Sequence, residues 1–146
     1  MHITQISAFI ENKPGRLAEV IGWLAEDDVN IHALSIADTT DFGILRLIVN
    51  DPQKARALLK SRGLTVKLTD VIAVALTHKP GSLAKVLREM DKINASIEYM
   101  YAFTSRSSDH DAMVIFRLEN QEETTEKLMA AGIEIIDSSK LEYLSK

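Results

Sequence analysis

Ile6, Ala8 and Ile10 alternate with Gln5, Ser7 and, less cleanly, Phe9, which is the two-residue period of a half-buried strand. The period then changes. Leu17, Val20, Ile21 and Leu24 follow the spacing of an amphipathic helix. Residues 30–37 and 43–49 read as two further strands, joined by the turn-rich linker Asp38, Thr39, Thr40 and Asp41. Asp51 is placed to cap a second helix that has Pro52 at its first position and runs through Ala55, Leu58 and Leu59 towards Gly63. Residues 64–69 close the series as a fourth strand.

The series then starts again: strand 71–77, helix 82–93, strands 96–104 and 112–119, helix 122–131 and strand 133–137. Setting Pro80 over Pro14 explains why, because it also sets Lys79 over Lys13, Gly81 over Gly15, Leu83 over Leu17, Ala84 over Ala18, Val86 over Val20 and Ile97 over Ile31. Gly132 over Gly63 and Leu128 over Leu59 need a slightly longer step, so extra residues enter between, within the polar stretch Thr104 to His110, as a lengthened hairpin loop. Short connections and right-handed crossovers turn each βαββαβ order into an antiparallel sheet with both helices on one face. The predicted fold class is therefore α+β, with two tandem ferredoxin-like units over residues 1–70 and 71–146. Thr69 and Asp70 make the only polar break between them, so rigid docking is expected. Leu141, Tyr143 or Leu144 would extend the last strand or cover a sheet edge.

Composition narrows the function. The 146 residues are 46% hydrophobic and 26% charged, close to an ordinary globular protein, and units of this length lie near the lower size limit for an independent core. The apolar run Val71 to Leu76 is far too short to span a bilayer. The first residues carry no secretory pattern, and a cytoplasmic location is expected. No cysteine is present, which excludes disulfides, thiolate metal sites and cysteine nucleophiles. A net charge of −4 argues against nucleic acid and anionic membranes as partners.

The copied segments ENKPGRLAEV and THKPGSLAKV carry the candidate chemistry. Proline holds the residue before it extended, and glycine lets the chain turn tightly into the helix. The amides of Gly15, Arg16 and Leu17 then sit at the positive end of a helix dipole, where a carboxylate or phosphate is favoured. Asn12 and Asn30 each offer a donor and an acceptor, which suits a zwitterionic amino acid. The plainer reading is that Pro-Gly merely ends a strand and starts a helix.

ENKPGRLAEVIGWLAEDDVNI resembles the start of an ACT domain, with its strand, a polar residue two before Pro-Gly, Leu-Ala, a helix and Asn-Ile. The likeness extends over both repeats. It implies a βαββαβ fold, amino-acid binding at interfaces between paired units, and ligand contacts at Asn12, Pro14, Gly15, Arg16, Leu17, Asn30 and Ile31. In the second repeat Gly81, Ser82 and Leu83 keep the pattern, but His78 and Ser96 stand where asparagines belong. The second loop would then bind a different group, bind weakly, or only pack.

Other features fit bland roles. Asp109, His110 and Asp111 are consecutive and point apart, as in a solvated loop rather than a metal site. His2 and His32 are isolated, and Trp23 belongs to helix packing. Ile97, Tyr99, Tyr101 and Phe103 alternate along one strand face, without the basic pattern of an RNA-binding sheet. The sequon Asn94-Ala95-Ser96 has no meaning without secretion. With no catalytic motif, the reading is a regulatory amino-acid-binding protein. It is not an enzyme, has no cofactor or metal, and its partner is a metabolic enzyme or a second copy of the chain. A small ferredoxin-like enzyme and a nucleic-acid or protein adaptor remain the alternatives.

Overall fold

The computed structural model describes residues 2–38, 41–77, 79–104 and 112–139. The elements follow in the order β1 (Ile3–Glu11), α1 (Arg16–Glu26), β2 (Ile31–Asp38), β3 (Phe42–Val49), α2 (Pro52–Ser61) and β4 (Thr65–Leu76). The second half brings α3 (Ser82–Lys92), β5 (Ile97–Thr104), β6 (Ala112–Leu118), α4 (Gln121–Ala130) and β7 (Ile135–Ile136). The chain divides into two compact units, Thr4–Thr69 and Asp70–Lys146, with Met1–Ile3 joining the latter. We call them the N-terminal and C-terminal units.

Strand order is β2-β3-β1-β4 in the first and β7-β4-β6-β5 in the second. The registers are antiparallel, Glu11 lying opposite Phe42 and Ile31 opposite Val49, then Leu76 opposite Ala112 and Ile97 opposite Leu118. Each unit is thus the predicted βαββαβ arrangement. One expectation fails at the junction. The polar pair Thr69 and Asp70 does not separate two strands, because β4 runs unbroken from Thr65 to Leu76. Asp70 is exposed, and a solvent-facing strand position tolerates a carboxylate.

Each unit has its own core. Ile6, Ala8 and Ile10 of β1 and Leu45, Leu47 and Val49 of β3 meet Val20 and Leu24 of α1 and Ala55 and Leu59 of α2. In the C-terminal unit Ile72, Val74, Val114, Phe116 and Leu118 meet Val86, Met90 and Leu128. Fully burying one such side chain contributes about 1.5–3 kcal/mol, so the apolar stripes decide which helix faces turn inward.

The repeat extends to individual hydrogen bonds. Gly15 and Gly81 open α1 and α3 in the left-handed region, at φ 84° and 90°. At the far ends of these helices Asp28 and Asn94 are left-handed too, at φ 58° and 55°. The next amides, of Val29 and Ala95, both reach back at 2.9 Å, to Leu24 O and Met90 O. Gly63 and Gly132 end α2 and α4 at φ 87° and 86°.

Both edge strands also bulge at equivalent places, between Ile31 and Ala33 and between Ile97 and Tyr99. The second bulge corrects the sequence reading of β5. Ile97 and Met100 pack on the core, so Ile97, Tyr99, Tyr101 and Phe103 do not share one face. The expected extension by Leu141, Tyr143 or Leu144 lies outside the described residues, as does the stretch Asp109 to Asp111.

Candidate functional site

The Pro-Gly loops join the last residue of a central strand to a helix, and their backbones match. Lys13 N donates to Glu11 O at 3.0 Å, and Lys79 N to Thr77 O at 2.9 Å. Arg16 N donates to Lys13 O at 3.2 Å, and Ser82 N to Lys79 O at 3.3 Å. Glu19 N and Lys85 N then donate the first helical bonds, each at 3.0 Å, to Gly15 O and Gly81 O. Among the described residues no side chain caps either helix.

This geometry trims the anion cradle expected from the sequence. The amide of Arg16 is engaged in the turn, so it is not available as assumed. The amides of Leu17 and Ala18, within the first turn, remain without helical acceptors. Asn12 donates its backbone amide to Asp41 O at 2.9 Å, which closes the end of the hairpin, and its residue is exposed beside the loop. Pro14 and Gly15 are exposed, and Leu17 is half-buried on the core.

Asn30 and Ile31 lie elsewhere. Asn30 N donates to Asn50 Oδ1 at 3.0 Å, and Asn50 N to Asn30 O at 3.1 Å, a reciprocal lock at the entrance to β2. Within the N-terminal unit, Asn12 sits at the Phe42 end of β3 and Asn30 at the Val49 end, roughly 23 Å apart at the usual strand rise. One unit therefore cannot bring Asn12, Gly15 and Asn30 around a single amino acid. In the C-terminal unit the second loop likewise follows the Ala112 end of β6 and Ser96 lies at its Leu118 end. Ser96 O accepts from Glu119 N at 3.0 Å and lines a small cavity of about 110 Å³ with Glu119, Asn120 and Lys127. His78 lies outside the described residues.

Side-chain chemistry distinguishes the two loops. Around the first, Lys13 Nζ pairs with Glu11 Oε2 at 3.3 Å, and the Arg16 guanidinium pairs with Glu19. Arg16 also lies over the Trp23 ring at 5.3 Å, with Arg62 at 5.1 Å from the same ring. Around the second loop two clefts open. One, of about 610 Å³, is lined by Leu83, Phe103, Val114 and other apolar groups, and the other, of about 450 Å³, by Gly81, Lys85, Arg88 and Glu134. Leu76, Thr77, Lys79 and Ser82 border both. The sequence reading missed Lys85 and Arg88, although the repeat alignment shows them replacing Glu19 and Gly22.

Among the described residues no group of His, Asp or Glu is placed to hold a metal, and no helix is long and apolar enough to cross a membrane.

Comparison with known proteins agrees with this architecture. No curated protein matches the chain. A crystal structure of a protein from Bacteroides thetaiotaomicron is 41% identical, with a TM-score of 0.89, over 97% of this chain and 96% of that one. The ligand-free regulatory subunit of aspartate kinase from Thermus thermophilus is 20% identical, with a TM-score of 0.63 over 89% of this chain and 92% of its own. The corresponding subunit from Thermus flavus is 20% identical, with a TM-score of 0.60 over 87% and 88%. These two share the fold. The family model of the ACT domain pair matches residues 1–145, and the chain belongs to that family.

Proposed function

We propose that the protein is a regulatory amino-acid sensor that takes its ligand at the N-terminal Pro-Gly loop and does no chemistry on it. The supporting observation is the loop itself. A left-handed Gly15 opens α1 next to the exposed Asn12, and the amides of Leu17 and Ala18 in its first turn have no helical acceptor. A carboxylate is stabilised there by the helix dipole, and Asn12 offers uncharged hydrogen bonds to the rest of the zwitterion.

The separation of Asn12 from Asn30 adds a condition. A ligand that uses both must take them from two copies of the chain, so binding and self-association are coupled. The signal then passes through the surface of that dimer or of a metabolic enzyme bound to it.

Thermal-shift screening against the twenty amino acids identifies the ligand, and calorimetry tests the site. Asn12→Ala should lose about 1–3 kcal/mol of binding, the usual cost of a deleted hydrogen-bond partner, and His78→Ala should lose less. Light scattering should show the dimer fraction rising with the ligand. Unchanged affinity in Asn12→Ala together with loss in His78→Ala would transfer the site to the second repeat.

A further inference from the structure

The clefts beside the second loop are not used by the sensor reading. The larger one has apolar walls made by Leu76, Leu83, Ala102, Phe103, Ala112 and Val114. Its border is polar: Thr77, Lys79 and Ser82 are shared with the neighbouring cleft, where Lys85 and Arg88 add two more cations. Lys79, Lys85 and Arg88 form no ion pair among the described residues. Among the described residues, Glu134 is the one carboxylate lining this cationic side.

The repeat supplies an internal control for that charge. At the first loop the cations Lys13 and Arg16 are each neutralised by a glutamate, and Glu19 occupies the position of Lys85. The same backbone therefore does not require the positive excess. Three cations without an ion-pair partner among the described residues, near an apolar hollow, complement a ligand with an anionic head and an apolar body.

We propose that this double cleft binds an apolar carboxylic acid that lacks an ammonium group. The body lies against Leu83 and Val114, and the carboxylate meets Lys79 at the shared border, where Lys85 and Arg88 reinforce the field. An α-amino acid is disfavoured, because its ammonium would enter a neighbourhood of three cations and one carboxylate. The site shares no residue with the N-terminal loop that the sensor reading uses, and the ammonium-bearing probe below separates it from an amino-acid site at the second loop.

The test is an amide-resolved NMR titration of the full chain with three matched probes: 4-phenylbutanoate, 4-phenylbutanamide and L-homophenylalanine. Saturable shifts should centre on Leu83, Ala102 and Phe103, with the carboxylate bound tightest. Lys79→Gln should weaken the acid about tenfold, the scale of one charge-assisted hydrogen bond, and leave the amide unchanged. Equal binding of acid and amide would overturn the proposal, as would preference for homophenylalanine, shifts centred elsewhere, or no saturable shift.

Discussion

The two Pro-Gly loops are the same object in backbone and different objects in charge. Their turn bonds agree within 0.1 Å, from Lys13 N and Lys79 N to Glu19 N and Lys85 N. Around them the N-terminal unit sets two ion pairs, whereas in the C-terminal unit Lys79, Lys85 and Arg88 have no ion-pair partner among the described residues and line open clefts. Turn geometry depends on a few residues that tolerate little change, above all a glycine at positive φ. Exposed side chains cost little to exchange, so a duplicated loop can keep its shape and acquire a second specificity.

Core substitutions test the likeness most severely. Leu24→Ala in α1 and its counterpart Met90→Ala in α3 should each cost about 3 kcal/mol in chemical denaturation, since both side chains are buried and the cavities cannot close fully. A large effect at one and none at the other would mean that the units do not rely on equivalent cores.

Gly15→Ala and Gly81→Ala come next. Nothing lies within 4 Å of a Cβ added at either place, so the cost is purely that of the left-handed backbone, about 1 kcal/mol at both. Unequal losses would show that one loop is held by something beyond its turn.

Arg62→Ala probes what the N-terminal unit has alone. Removing one guanidinium from the Trp23 ring should cost about 0.5–1 kcal/mol, and Ala131 already occupies the matching place in the other unit. Lys13→Ala should change stability least, by about 0.5 kcal/mol or less, and any loss should fade as salt is added, because its pair with Glu11 is exposed.

Much of this was legible in the sequence because backbone constraints leave recognisable residues. Pro14, Gly15, Pro80, Gly81, Gly63 and Gly132 mark turns that few residue types can make, so they revealed both the duplication and the element order. Polarity was a weaker guide. Thr69 and Asp70 read as a break, yet a strand can carry polar residues wherever its side chains meet water. The site was read too compactly for a topological reason. Asn12 follows β1 and Asn30 precedes β2, and two parallel strands joined by a helix place those points at opposite ends of the sheet. The second cleft was hidden differently, since the exchange of Glu19 for Lys85 was visible but its meaning depends on the apolar hollow next to it.

Trp23 is the sole tryptophan in the chain, and the guanidinium groups of Arg16 and Arg62 both lie over its ring. Its emission is therefore an intrinsic optical gauge of the N-terminal loop, because Arg16 belongs to both the loop and the stack. A ligand that draws Arg16 towards its carboxylate should alter the intensity and wavelength of that emission. An acid entering the cleft beside Phe103 should leave the signal unchanged. Unlabelled protein in a fluorimeter can thus report which of the two loops has been filled.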